Sequence, residues 1–274
     1  MGNKPNTSAG AEEIVAKFYN TGGWETRDGI TEDAARFEDL RKSADDYLRL
    51  CRLRLLKFIP PVGHSFLDMA SGPIQYPEYI LYSKGYDKRY CVDLSLDALK
   101  QAEAKIGNHG VYLHGSFFDL PIEGNFFDCA VSIHTIYHMD KDTQADAVRK
   151  LIRVTKKGAP VIIIYSNPNA FTRQVTKVGK TIMSLFRKPK PLPIAGDGTL
   201  YFHCHELSWW KQFSDSADVK IVPWRTFGTE VQKKLFPDNF IGKIMFNALF
   251  FLEDSFSYLF TKIATYPIII LTKK

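Results

Sequence analysis

Short apolar runs alternate with amphipathic stretches through the middle of this chain. Between the runs, apolar residues recur at helical spacing, and Ser95 and Thr143 stand where they could cap helices over 96–106 and 144–154. Apolar runs with little polar alternation, joined by helices, are typical of a parallel sheet that is covered on both faces. The pattern therefore predicts an α/β fold with a mostly parallel sheet. The predicted strands are 65–69, 89–93, 111–115, 127–132 and 161–165.

Helical patterns precede this alternation on its N-terminal side. Residues 11–19 and 32–58 carry apolar side chains at helical spacing, and two prolines end the second stretch. We therefore predict an N-terminal helical cap over 1–59, followed by a main domain over 60–274. The segment between the two helical patterns is rich in aromatic residues, which indicates a lid over a cleft or the ordinary packing of a short helix. Its residues are Phe18, Tyr19, Gly22, Gly23 and Trp24.

The regular alternation fails after residue 165. Helical and strand patterns follow in no fixed order, so we expect insertions into the main domain at about 167–205 and 228–265. The first insertion contains a basic amphipathic segment, 173–190, which indicates an anionic acceptor, a membrane surface or a solvated helix face. Beyond it we predict helices over 206–213 and 240–263, and strands over 219–224 and 266–271.

Composition and charge limit the function classes without selecting one. The chain has 274 residues, of which 24% are charged, and its net charge of +6 is too mild to indicate nucleic-acid binding. Its four cysteines are far apart and form no Cys-x-x-Cys pair, which favours a reducing compartment such as the cytoplasm. No run reaches the roughly 18 uncharged apolar residues that a membrane span needs. Peripheral contact with a membrane stays open.

Two acids stand at the ends of neighbouring predicted strands. Asp68 ends the first run and is followed by small residues that take the chain through a tight turn, while Asp93 ends the second run. In parallel α/β sheets, ligands bind outside the carboxyl ends of the strands, where loop N–H groups and helix N-termini meet them. Two acids there suit a ribose and a cationic tail. The arrangement favours an adenosyl cofactor over a dinucleotide, although each acid could also cap a turn or a helix.

A series of motifs in this order resembles the class I S-adenosylmethionine-dependent methyltransferases of the type 11 kind. The glycine loop over 68–74 keeps its middle glycine, Gly72, and has Ala70 and Ile74 at the other two positions. We interpret Ile74 as a position that packs rather than turns, which disfavours a nicotinamide-dependent oxidoreductase. The resemblance implies a Rossmann-like seven-stranded sheet with S-adenosylmethionine as cofactor. The other matching motifs are Asp93, 115–121, 125–132 and 153–160.

The same resemblance implies which residues hold the cofactor. The loop amides would contact its methionine part with Asp68 near the cationic end, Asp93 would accept both ribose hydroxyls, and Asp119 would accept the adenine amino group. Asp119 could instead be an ordinary turn acid, and the neighbouring phenylalanines could belong to the core. The predicted cofactor-binding residues are Asp68, Ala70, Ser71, Gly72, Asp93, Leu94, Ser116, Phe117, Phe118, Asp119 and His134.

Three side chains after the fourth predicted strand are candidates for the chemistry. His134 and His138 are candidate general bases because imidazole titrates near neutral pH, and Tyr137 could position the acceptor or contact the cofactor. The alternative is that these residues shape the pocket or bond to the backbone. A further pair, His203 and His205, has no third ligand at a standard spacing, so we predict no metal site.

We predict from these features a methyltransferase that acts on an oxygen of a small molecule: a glycan, a glycolipid or a secondary metabolite. Two alternatives stay open, namely a C-methyltransferase of a prenylated quinone or lipid, and a regulatory subunit that binds the cofactor without turnover. Methyl transfer needs an in-line nucleophile beside the sulfonium methyl, so proximity and orientation supply most of the rate. The acceptor could be anionic or lipid-linked. For the oligomeric state, the sequence allows a monomer or a homodimer.

Overall fold

A seven-stranded sheet crosses the centre of the protein in this computed structural model. The structure describes residues 7–19, 24, 26–27, 30–171 and 201–274. A two-stranded hairpin, β1 and β2, precedes the sheet. The strands are β1 (Thr26–Arg27), β2 (Ile30–Thr31), β3 (Gly63–Met69), β4 (Tyr86–Asp93), β5 (Gly110–His114), β6 (Cys129–Ile133), β7 (Pro160–Ile164), β8 (Ala217–Arg225) and β9 (Tyr266–Lys273).

The order of strands in the sheet is β5-β4-β3-β6-β7-β9-β8. The first five are parallel to one another, while β9 runs antiparallel to both β7 and β8. Asp68 lies opposite Cys91 on β4, and Met69 lies opposite Ser132 on β6, so the carboxyl ends of these three strands meet at one edge. The mostly parallel, Rossmann-like α/β fold that we predicted is confirmed.

Nine α-helices accompany the strands in the described part of the chain. Ser95 caps α5 as predicted, since its Oγ accepts a hydrogen bond from the Ala98 N–H at 3.3 Å. The predicted cap by Thr143 is wrong, because its hydroxyl donates to the Asp140 carbonyl instead. The helices are α1 (Thr7–Phe18), α2 (Glu32–Phe37), α3 (Lys42–Leu53), α4 (Pro77–Ile80), α5 (Leu96–Ile106), α6 (Gln144–Val154), α7 (Thr229–Leu235), α8 (Phe240–Ser255) and α9 (Ser257–Ile263).

Two of the long helices that we predicted are interrupted. The stretch 32–58 breaks between α2 and α3, where the buried Asp39 accepts hydrogen bonds from the backbone and the guanidinium of Arg41. Such a local bond between side chain and backbone competes with the helix. The stretch 240–263 likewise breaks at Phe256, whose ψ of 41° is not helical. The predicted helix over 206–213 is a 3-10 helix, Leu207–Phe213, and α4 and α7 were not predicted.

Apolar clusters cover the two faces of the sheet. Ile162 and Ile164 pack into one cluster with helices α3, α5 and α8, whereas Val161 and Ile163 pack into the other with α6. A strand that buries both sets of side chains carries no polar alternation, which explains the continuous apolar runs in the sequence. Both faces of the sheet are therefore taken up by packing, which leaves the loops at the strand ends as the place for a site.

Within the described ranges, none of the helices combines the length and the hydropathy needed to span a bilayer. The basic segment 173–190 and the Gly22–Gly23 turn lie outside the described residues. The proposed cap over 1–59 and the insertion boundaries stay predictions.

Candidate active site

One cavity of about 280 Å³ opens at the carboxyl ends of β3, β4 and β6. Residues from the N-terminal segment and from the ends of β8 and β9 close its other sides. Its walls combine a few polar groups with many apolar and aromatic ones, which is typical of a small-molecule site. The predicted residues that line it are Asp68, Ala70, Ser71, Gly72, Asp93, Leu94, Phe117, His134, Tyr137 and His138.

The loop after β3 has a left-handed backbone at every position where the resembling family has glycine. The φ angles are 58° at Ala70, 54° at Gly72 and 49° at Ile74. Our interpretation of Ile74 was wrong in part, because this buried side chain packs into the core and its backbone also turns. A left-handed conformation costs a non-glycine residue roughly 1–3 kcal/mol, and such strain concentrates at functional sites. At Gly72 a Cβ atom would lie 3.0 Å from the ring of Trp24.

Asp93 is held by the backbone on both of its carboxylate oxygens. Oδ2 accepts the Gly72 N–H and Oδ1 accepts the Ser95 N–H, each at 2.8 Å. Burial raises the pKa of Asp93 to about 6, although these two hydrogen bonds oppose the rise. Each oxygen keeps a further lone pair, so the carboxylate can accept two more donors from the cavity.

Asp68 lines the same cavity, but its charge is already neutralised. Its Oδ2 accepts a hydrogen bond from Arg89 Nε at 3.1 Å and a second from Arg89 Nη2. Both side chains are almost completely buried. Sequence reasoning missed Arg89, which lies two residues before the position on β4 that pairs with Asp68, and the neighbouring charges of Asp87 and Lys88 gave no signal that this one is buried. We expected Asp68 to lie near the cationic end of a ligand. In the structure the cation that engages Asp68 is Arg89.

The loop after β5 supplies one wall of the cavity. Phe117 lines it, whereas Ser116, Phe118 and Asp119 are not part of its lining. The Ser116 hydroxyl donates to Glu12 Oε1 at 2.8 Å, which ties this loop to α1. Burial raises the pKa of Glu12, and the hydrogen bond to Ser116 opposes this rise. Glu12 lines the cavity and was not predicted, since no local motif marks it.

Two histidines and a tyrosine follow β6. His134 has a left-handed φ of 58°, and its Nδ1 lies 2.8 Å from the Tyr137 hydroxyl. Burial, with Arg225 nearby, lowers the pKa of His134 well below its usual value. The Nδ1 of His138 lies 2.7 Å from the Tyr201 carbonyl, and burial lowers the pKa of His138 as well.

The hydrogen bond of His138 fixes its tautomer. A carbonyl oxygen only accepts, so Nδ1 must carry the proton, and in the neutral ring Nε2 then carries the lone pair. Because the pKa is lowered, the neutral form dominates at pH 7. His138 is therefore neutral with its lone pair on Nε2, as a general base requires, whereas Nδ1 of His134 is engaged by a side-chain hydroxyl.

The ends of β8 and β9 form the wall that sequence reasoning missed. Arg225 lines the cavity beside Tyr266, with its guanidinium carbon 5.0 Å from the centre of that ring. Its Nη1 lies 3.3 Å from Glu38 Oε2, and its buried Nε has no hydrogen-bond partner in the structure. These residues are nearly 200 positions apart in the sequence, so only the fold brings Arg225 and Glu38 together.

Residues 67–163 match the family model of the methyltransferase domain. These residues form a methyltransferase domain, and the chain is an S-adenosylmethionine-dependent methyltransferase. Geranyl diphosphate C-methyltransferase from Streptomyces coelicolor A3(2) is similar over 98% of this chain and 100% of that chain, at 14% identity and a TM-score of 0.57. An S-adenosylmethionine-dependent methyltransferase from Thermotoga maritima is similar over 96% of this chain and 100% of that chain, at 14% identity and a TM-score of 0.54. At these identities the likeness shows the fold alone. No curated protein matches the sequence.

The cavity of this methyltransferase fits the cofactor that it uses, S-adenosylmethionine. The carboxylate of Asp93 offers two acceptor oxygens at the end of β4, and the turn over 70–72 brings backbone close to the same space. Trp24 lines the cavity with a buried indole N–H that has no partner among the described residues, and a ligand atom could satisfy it. The predicted family, enzyme class and cofactor are thus confirmed.

Proposed function

We propose that this methyltransferase transfers the methyl group to a hydroxyl oxygen of a small-molecule acceptor, such as a glycan, a glycolipid or a secondary metabolite. The hydrogen bond that fixes the tautomer of His138 carries the proposal. A hydroxyl is a weak nucleophile until its proton leaves, and the neutral His138 ring can take that proton on Nε2. The sulfonium supplies an activated methyl group, so the protein needs only to align the two partners and receive a proton.

On the donor side, Asp93 accepts the two ribose hydroxyls, and the amides of Ala70, Ser71 and Gly72 contact the methionine part. Leu94 and Phe117 enclose the adenine, while Ser116, Phe118 and Asp119 form the end of its site. The support for these roles is placement, because the first six of these residues line the cavity and the last three continue the same loop.

On the acceptor side, Tyr137 and His134 act as a hydrogen-bonded pair that shapes the space in front of the methyl group. The contact of 2.8 Å between the Tyr137 hydroxyl and His134 Nδ1 holds that hydroxyl in one orientation. The raised pKa of Tyr137, which follows from its burial, keeps that hydroxyl protonated at neutral pH. His138 is therefore the base, and the other two residues position the acceptor.

A C-methyltransferase of a prenylated quinone or lipid is the second candidate, and the aromatic walls favour it. Tyr19, Trp24, Tyr76, Phe202 and Tyr266 all line the cavity. Adding a methyl group to an alkene carbon leaves a carbocation, which ring faces stabilise until it loses a proton to a base such as His138. Exposed apolar residues on α8 and α9, including Phe240 and Phe251, would suit contact with a membrane that supplies such an acceptor.

The test is an acceptor screen with S-adenosylmethionine that carries an isotope-labelled methyl group. The panel contains glycosides, phenols, geranyl diphosphate and a prenylated quinone, and S-adenosylhomocysteine formation reports turnover. NMR of the product distinguishes a methoxy group from a carbon-bound methyl group. Methoxy products from hydroxyl compounds support the proposal. Turnover of prenyl compounds alone, with carbon-bound methyl, would replace it by the second candidate.

A further inference from the structure

Acidic side chains from several parts of the chain line the cavity, and most of them have a strong partner. Asp68 is paired with Arg89, and Glu38 lies between Arg225 and Arg52. Backbone N–H groups hold Asp93 at 2.8 Å, and the Ser116 hydroxyl donates to Glu12 at the same distance. The remaining acid in the described lining is Asp33.

Among the residues that the structure describes, Asp33 accepts two long side-chain hydrogen bonds. The Tyr19 hydroxyl lies 3.4 Å from Oδ1, and Gln75 Nε2 lies 3.5 Å from Oδ2, which is the limit of a useful contact. In the part of the chain that the structure describes, no lysine or arginine forms an ion pair with it. Burial raises the pKa of Asp33 to about 6. A desolvated carboxylate without a cation is costly, so this position favours a ligand that brings a positive charge.

The surroundings of Asp33 place it beside the loop after β3. Gln75 follows that loop directly, and its amide also donates to the Thr31 hydroxyl at 2.6 Å. The ring of Tyr19 stacks on Trp24 at 4.6 Å between centroids, and Trp24 covers Gly72. The carboxylate of Asp33 therefore lies near the backbone that faces the amino-acid end of the cofactor.

We propose that Asp33 binds the α-ammonium group of the cofactor. The methionine part of the cofactor carries this cation, and Asp68, the acid at the end of β3, is already neutralised by Arg89. The N-terminal segment then supplies a direct ligand contact in addition to covering the cleft. The rings of Tyr19 and Tyr76 line the same cavity, and aromatic faces also favour a cation. The inference concerns the donor half of the reaction and does not depend on the acceptor proposed above.

Titration calorimetry with two probes tests this role. S-Adenosylhomocysteine carries the ammonium group, whereas 5′-methylthioadenosine has the same adenosine and thioether without the amino acid. Asp33→Asn should weaken S-adenosylhomocysteine binding by roughly 10- to 100-fold, because a charge-assisted hydrogen bond is lost. Binding of 5′-methylthioadenosine should change by less than about twofold. Glu32→Gln removes an exposed acid from the same first turn of α2 and should leave both affinities unchanged.

The second probe also reports whether the variant cavity is intact. Asp33→Glu keeps the charge and should retain most of the affinity for S-adenosylhomocysteine. Equal losses for the two probes would overturn the proposal, since Asp33 would then support the cleft rather than bind the ammonium. Unchanged affinity of Asp33→Asn for S-adenosylhomocysteine would overturn it too, and would leave the carboxylate for an amine on the acceptor.

Discussion

Asp93→Asn should weaken cofactor binding strongly without unfolding the protein. In the native structure each oxygen of Asp93 accepts one backbone N–H at 2.8 Å, from Gly72 or Ser95. In the variant an NH₂ group, which donates, replaces one of these accepting oxygens. It then faces a backbone N–H or a hydroxyl of the cofactor, which are also donors, so one hydrogen bond is lost. Loss of one charge-assisted hydrogen bond amounts to about 1.5–3 kcal/mol, which is roughly 10- to 100-fold in the dissociation constant of S-adenosylhomocysteine.

The pH dependence of binding gives a second measure of the same group. The carboxyl pKa is about 6 in the free protein, and ribose hydroxyls donate best to the ionised form. Binding at a pH below 6 must therefore expel a proton, and the affinity of the wild type should fall as the pH decreases from 7 to 5. Asp93→Asn removes this contribution and should make the profile less steep, with the remaining slope due to Asp33.

Calorimetry at several pH values, with unfolding curves for each variant, checks both statements. Asp97→Asn is the matched control, because Asp97 is an exposed acid on α5 whose contact is with Lys100. A folded Asp93→Asn protein that binds S-adenosylhomocysteine within twofold of the wild type would refute the reasoning and remove Asp93 from the site.

Three further variants test other parts of the argument. His138→Asn can keep the hydrogen bond to the Tyr201 carbonyl but has no base, so turnover of an acceptor from the screen should fall by about 100-fold at unchanged cofactor affinity; undiminished turnover would make His138 a structural residue. Arg89→Met should cost about 3–5 kcal/mol in urea unfolding, because it leaves the charge of Asp68 buried and unpaired; a loss below 1 kcal/mol would contradict that. Asp33→Asn should raise the melting temperature of the ligand-free protein at pH 7, since burial disfavours its ionised form and stability from this group increases as the pH falls from 7 towards 4; a lower melting temperature would contradict the desolvation cost.

The sheet and half of the cavity were predictable from sequence because their signals are local. Apolar runs without alternation mark buried parallel strands, and such strands place Asp68 and Asp93 at the same edge. The turn after β3 was predictable as a turn, but Ile74 shows the limit of composition as a guide. Its side chain belongs to the core while its backbone has a φ of 49°, a combination that only the surrounding fold can impose.

The cavity wall at the ends of β8 and β9 and the partners of the acids were not predictable, because they depend on contacts between distant segments. Glu38 meets Arg225 only after the chain breaks at Asp39 and β8 joins the sheet. Helical periodicity across 32–58 concealed that break, since the apolar spacing continues through it. The ion pair of Asp68 likewise depends on Arg89 in a neighbouring strand, and periodicity carries no information on such pairs.

The position of β9 in the sheet has a consequence for the order in which the molecule opens. β8 hydrogen-bonds to β9 and reaches the rest of the sheet only through it, although β8 comes first in the sequence. The link between Arg225, which lines the cavity, and the rest of the sheet therefore runs through the pairing of β9 with β7. In native-state hydrogen exchange, amides of β8 should open at lower free energy than those of β3 and β4. The part of the cavity wall that β8 forms would then open while the strands that carry Asp68 and Asp93 are still paired.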